Sequence, residues 1–270
     1  MNERAFSYVG HGGVLLGGDV ERAWASTGWG CEFDAIIPLG GNCAAAHNLR
    51  MRGLRSMSFP FDWVLMDDPA PIAYLARGFA NGFSDLCLRE NLVELTGDER
   101  GIEKPGRLQF KDKVSGWKFI HHFNETSDFD AEYCRVSAIL KKRIRRMQDM
   151  FESGGRFLLI LAPNFMLEKG CVDELRTVLK RKYPRSTFCF LLMSFRDSAT
   201  GAEKIDEILY VRIPHAQSIY DFSKTTIEWS FLDRLRLKVQ AAARKEHKLW
   251  LWKWNGVRYI LKWHIMKKIR

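Results

Sequence analysis

A chain of 270 residues that is 46% hydrophobic and 27% charged can bury a sizeable core, which excludes disordered, collagen-like and coiled-coil classes. Forty-two Lys and Arg against thirty-two Asp and Glu give a net charge of +10, a balance that favours an acidic partner surface such as anionic lipid, nucleic acid or a polyanionic glycan. The six cysteines (Cys31, Cys43, Cys87, Cys134, Cys171, Cys189) include no C-x-x-C pair, which argues against a disulfide framework or a zinc knuckle and fits a reducing cytoplasm.

Residues 1 to 33 are Gly-rich and carry Trp24 and Trp29 without a clear period, so they read as an irregular lead-in with no apolar secretory segment. Ala35-Ile-Ile-Pro-Leu39 is a short apolar strand, Gly40-Gly41-Asn42 a tight turn, and Cys43 opens an Ala-rich helix that stops at Gly53. A second helix is predicted from about Pro69 to Phe79, because Pro69 and Pro71 suit a first turn and Gly82 an exit. Residues 84 to 116 are mixed. Trp117 to Phe123 alternates as a strand that delivers His121 or His122 at its end.

Asp130 to Ser153 is an amphipathic helix with Val136, Leu140, Ile144, Met147 and Phe151 on one face. Three apolar strands follow, at Phe157–Leu161, Thr187–Met193 and Ile208–Ile213, with a helix from Glu168 to Tyr183 between the first two. Continuous apolar strands alternating with helices imply an α/β fold whose central, mostly parallel sheet is covered on both faces. A helix is expected from about Thr226 to His247. The organisation is then a lead-in (1–33), one α/β domain (34–247) and a basic aromatic C-terminal helix (248–270).

That last segment holds seven Lys or Arg and no Asp or Glu, interleaved with Trp250, Trp252, Trp254, Tyr259 and Trp263. Cations and aromatic rings together suit the headgroup level of an anionic membrane, so a peripheral location at the inner face of the membrane stands beside plain docking onto the sheet. The longest apolar run, Phe157 to Leu167, contains Pro163 and is about half of the ~20 residues a span requires. The basic run Lys141–Arg146 reads as a solvated helix face, against nucleic-acid binding. The glycines at 10 to 18 lack the G-K-[ST] ending of a phosphate loop, and no H-E-x-x-H or other metal-ligand spacing occurs, so neither cofactor nor metal is expected.

Cys43 is the nucleophile candidate. A helix N-terminus carries about half a positive charge and unpaired N–H groups that favour a thiolate. The same amides, at Gly40, Gly41, Asn42 and Cys43, suit an oxyanion hole. The alternative is a small buried hydrophobe.

Leu39-Gly-Gly-Asn-Cys43, Leu49-Arg50, Gly53-Leu-Arg55 and Ser58-Phe-Pro-Phe-Asp-Trp63, followed by His121-His-Phe123, resemble a bacterial family of papain-like cysteine peptidases whose function is unassigned. The close match spans about residues 35 to 66, and a weaker one extends to about 235. The resemblance implies a Cys43 nucleophile, a His121 base and hydrolysis of a peptide bond. In that family the His is usually followed by Asp, whereas here His122 stands there, so the base is His121 or His122. Strand alternation would turn only one of the two toward Cys43. The orienting third member is Asp62 or Asn164. Asp62 also suits plain satisfaction of the amides in its own turn.

Parallel strands depart from the papain architecture and lean toward SGNH hydrolases, whose nucleophile follows the first strand in a G-D-S turn that Gly41-Asn42-Cys43 resembles. That reading is an acyltransferase or esterase of surface-polysaccharide biosynthesis acting on an acylated glycan. A non-catalytic binding module is the third class.

Overall fold

The computed structural model describes residues 13–55, 57–97, 106–126, 128–163, 165–168, 170–197, 201–214 and 229–238. Its centre is a five-stranded sheet in the order β2 (Ala35–Pro38), β7 (Gly155–Leu161), β8 (Ser186–Asp197), β10 (Ile208–Pro214), β9 (Gly201–Ile205). The first four strands are parallel, with Ala35 opposite Phe157, Leu158 opposite Cys189 and Leu209 opposite Leu191; β9 runs antiparallel at the edge. Alternate side chains feed two cores. Leu159, Leu161, Phe190 and Leu192 face α4 (Phe129–Ser153) and α5 (Asp173–Lys182), while Leu158, Ile160, Leu191 and Met193 pack with Trp29, Phe33 and Trp229. Burial on both faces is the reason these strands read as continuous apolar runs. The helix α4 lays Val136, Leu140, Ile144, Met147 and Phe151 on the first core, the face that its sequence spacing predicts.

Two expectations are corrected. The lead-in is not irregular throughout, because α1 spans Gly13–Thr27. Val20, Ala23, Trp24 and Thr27 recur at helical spacing; Val20, Ala23 and Thr27 are buried and Trp24 packs against the second core, so tertiary burial offsets the weak propensity of the glycines. The helix expected from Thr226 to His247 is absent over 229–237. There a short 3-10 turn (Ser230–Arg234) leads into β11 (Arg236–Leu237), which pairs in parallel with β1 (Glu32–Phe33). The buried alternation of Leu235 and Leu237 follows a strand period, and the Arg236 amide donates to the Cys31 carbonyl at 2.7 Å. The basic segment 248–270 lies outside the described residues. No described helix is long and apolar enough to cross a membrane.

Between α2 (Cys43–Met51) and α4 the chain builds a second sheet, antiparallel, in the order β3 (Val64–Leu65), β6 (Lys118–Asn124), β5 (Arg107–Asp112), β4 (Leu92–Glu94). The helix α3 (Ala70–Asn81) packs beside α5 and ends on Gly82 in the left-handed region. The two sheets meet at the turn after β2. Gly41 bridges Leu65 in parallel, its carbonyl accepting the Met66 amide at 3.0 Å, and the Gly40 carbonyl accepts the Ala162 amide beyond β7. Gly41 has φ +110, and a Cβ there would stand 2.4 Å from the Ala162 carbonyl carbon and oxygen. Neither the dihedral nor the space admits a side chain.

Gly41→Ala therefore loses about 3 kcal/mol, a fall in Tm of roughly 6–12 °C by calorimetry. A Tm within a degree of wild type would show that the turn is not clamped.

Candidate functional site

Cys43 is the first residue of α2, directly beyond the turn that ends β2. The Asn42 side chain caps the helix, its Oδ1 accepting the Ala44 amide at 2.7 Å, so the sequence G-G-N-C folds as a tight turn, an N-cap and a thiol at the positive end of the helix dipole. Cys43 is 9% exposed and packs with Leu65 of β3, Ile120 of β6 and half-buried Trp63. The thiol thus sits where the parallel sheet touches the antiparallel one.

The strand β6 brings the histidines. Its register with β5 slips, so that Ile120, His121 and His122 stand against Gln109 alone, between the pairs Phe119–Phe110 and Phe123–Leu108. This bulge breaks the expected alternation. Phe119 and Phe123 stay in the core, Ile120 reaches Cys43, and both imidazoles line one cavity between β6 and α4.

The two histidines differ in setting. His121 lies edge-on to the Trp63 ring, centroids 6.0 Å apart, and so reaches the Cys43 cluster through that indole. His122 lies edge-on to Phe119, its ring nitrogens shut from solvent and without hydrogen-bond partners. Burial first, then Arg143, His121, Arg135 and Arg107, push the His122 pKa down to about 3. A ring that resists protonation so strongly is a poor acceptor for a thiol proton.

Asp62 is fully buried. Its Oδ2 accepts the Phe59 amide at 2.9 Å and faces the Arg55 guanidinium at 3.3 Å, while its Oδ1 has no hydrogen-bond partner. Neither oxygen bonds a histidine. Burial pushes its pKa up to about 6, against the pull of Arg55, the Phe59 amide, Arg143 and Arg146. Arg55 also donates to the Met57 carbonyl and the Ser58 hydroxyl, and with Arg50 it stacks over Trp63 at 5.6 and 6.0 Å. Asp62 and Arg55 therefore fix the loop that presents Trp63. Asn164 lies outside the described residues.

Several site residues escape a reading of the sequence. His47 follows Cys43 by one helical turn, a spacing that places it on the same side of α2; burial, then Arg50 and Arg52, lower its pKa. The cavity wall also takes Arg107 from β5 and Arg135 and Arg143 from α4, residues far apart in sequence that only the fold assembles. Among the described residues no three His, Cys, Asp or Glu side chains gather as metal ligands.

A thiol heading a helix after a parallel strand, with imidazoles on an adjoining sheet, makes this an α/β protein with Cys43 at the centre of the candidate site. The model of the family described as "Putative papain-like cysteine peptidase (DUF1796)" matches residues 34–198, and the chain belongs to that family. An uncharacterised protein of Acanthamoeba polyphaga mimivirus is 28% identical over 158 residues, which cover 53% of this chain and 69% of that protein. No solved structure matches.

The Asp62 carboxyl gives a pH test. Its folded pKa of about 6 lies above the ordinary 3.8, so the folded state holds the proton more tightly. The resulting stability is complete below about pH 4 and is lost as pH rises through about 6, by up to about 3 kcal/mol. The Tm of wild type relative to Asp62→Asn should fall between pH 4 and pH 7. A flat difference would mean that Asp62 stays ionised throughout.

Proposed function

We propose that Cys43 is a thiol nucleophile and His121 its base, acting on a peptide or acyl bond. The observation that carries this reading is the placement of the thiol at the N-terminus of α2 against Trp63, whose ring stands perpendicular to that of His121 with centroids 6.0 Å apart. His121 takes the thiol proton. The thiolate attacks the carbonyl carbon, and the backbone amides of the Gly40–Cys43 turn stabilise the oxyanion. The imidazolium then returns its proton to the leaving amine or alcohol as the C–N or C–O bond breaks. Water, deprotonated by the same imidazole, releases the acid from the thioester and restores the thiol. His122 serves the wall of the site rather than proton transfer, since burial keeps it neutral.

One observation favours a second reading, an SGNH-like acyltransferase or esterase. The nucleophile follows β2 of a mostly parallel sheet in a strand, turn and helix, where papain-like enzymes pair a helical half with an antiparallel barrel. The covalent chemistry at Cys43 is then the same; an esterase releases the acyl group to water, and an acyltransferase passes it to a sugar hydroxyl.

Alkylation of each cysteine by iodoacetamide as a function of pH, read by peptide mass spectrometry, tests both readings. Cys43 should titrate below the ~8.5 of a free thiol, and His121→Ala should slow its alkylation at pH 7 by about 10²-fold. His122→Ala should leave the titration midpoint in place. Protection of Cys43 at every pH, or indifference to His121→Ala, would leave the thiol a structural role.

A further inference from the structure

The cavity of about 290 Å³ between β6 and α4 has an unusual wall: three guanidinium groups (Arg107, Arg135, Arg143), two imidazoles and Asn124, with no carboxylate. Arg135 and Arg107 are held in a way that leaves donors for a guest. The Arg135 Nε and Nη2 form a two-point pair with Glu132, and Nη2 also donates to the His122 carbonyl at 2.8 Å. Glu132 in turn accepts the Asn124 amide, which pins the start of α4 to the end of β6. Arg135 is thereby rigid, and its Nη1 makes no hydrogen bond among the described residues. The Arg107 Nη1 donates to the Asn124 side chain at 2.5 Å, so the remaining donors of its five stay available.

Arg143 is half-buried and makes neither a hydrogen bond nor an ion pair among the described residues. The nearby carboxylate, Asp62, turns one oxygen to the Phe59 amide and Arg55. Around this cavity five guanidinium groups, counting Arg55 and Arg146, share the two carboxylates Asp62 and Glu132. The neighbouring His122 lines the same wall, with its ring nitrogens shut from solvent. Arg107 and Arg143 are half-buried and Arg135 lies exposed at the rim; guanidinium groups with unused planar donors are the chemistry that recognises a carboxylate or a phosphate, and preorganisation lowers the cost of doing so. Trp63 links the cavity to the thiol, because its ring borders His121 on the wall and packs against the Cys43 cluster.

We propose that this cavity binds a carboxylate or phosphate group of the substrate, gripped by Arg107, Arg135 and Arg143, and so selects acidic acyl or peptide substrates for Cys43. The selection rests on the thiol reading above; the anion site itself does not.

Two reagents separate them. Iodoacetate and iodoacetamide each lose iodide as one C–S bond forms, and only the first brings a carboxylate. At matched pH and ionic strength, the iodoacetate-to-iodoacetamide rate ratio at Cys43 should exceed that at exposed Cys31 by roughly tenfold, the worth of one good charged hydrogen-bond pair. Arg143→Gln and Arg107→Gln should each remove most of that excess. Lys142→Gln, the same charge change at an exposed neighbour on α4, should leave it, and an equal loss there would reduce the effect to a general field and overturn the site.

Thermal unfolding supplies the arm that does not need the thiol. Inorganic phosphate or succinate, at ionic strength fixed with chloride, should raise the Tm of wild type but not of Arg143→Gln, and the more effective anion identifies the substrate group. Anion stabilisation with an inert Cys43 upholds the cavity and sinks the thiol reading. A reactive Cys43 with no reagent preference and no stabilisation by either anion overturns the cavity alone.

Discussion

Everything at the site depends on a contact that only backbone can make. At Gly41 the turn after β2 lies against the Ala162–Pro163 peptide that follows β7, closer than any side chain allows, while the Gly41 carbonyl receives the Met66 amide from beyond β3. One residue thus ties the edge strand of the parallel sheet, the loop after its neighbour and the antiparallel sheet. The thiol position, the helix dipole beneath it and the approach of β6 all follow from that junction.

Around the junction the balance of charge is set by desolvation. Arg55 and Asp62 are both withdrawn from water, and burial raises the acid while it lowers the base, so neither charge is held without cost. What the pair gains is a fixed loop: the Asp62 carboxylate closes the turn on Phe59, Arg55 grips Met57 and Ser58, and Trp63 is left between guanidinium groups and the thiol. An apolar pair of the same volume could stabilise the fold as well, but would not hold the indole by its faces.

The parts of this architecture that the sequence made legible are those governed by a single period. Buried parallel strands and the apolar face of α4 announce themselves within a window of a few residues, and the strand-turn-helix around Cys43 is written in G-G-N-C. The parts that were hidden depend on partners remote in sequence. The helix α1 is disguised by glycines and made stable by Trp29 and Phe33, and the segment before Leu237 pairs with a strand some two hundred residues earlier. The β6 bulge leaves no local mark, because it is a property of the register with Gln109 and not of H-H itself. The cavity arginines come from positions about two turns apart on α4 and from β5, and each alone looks like an ordinary solvated cation.

The antiparallel sheet is one contiguous insertion between α2 and α4, and it carries both histidines, Trp63 and Arg107, while the parallel scaffold keeps the thiol. The thiol and the imidazoles therefore lie on separate stretches of chain, with Arg135 and Arg143 of α4 completing the cavity wall between them. Changes confined to β3–β6 reshape the surroundings of Cys43 without touching the parallel sheet that positions it, whereas drift in α4 moves Arg135 and Arg143 in the same cavity wall. An architecture divided in this way admits variation in one inserted segment, with the junction at Gly41 as the part that both halves must preserve.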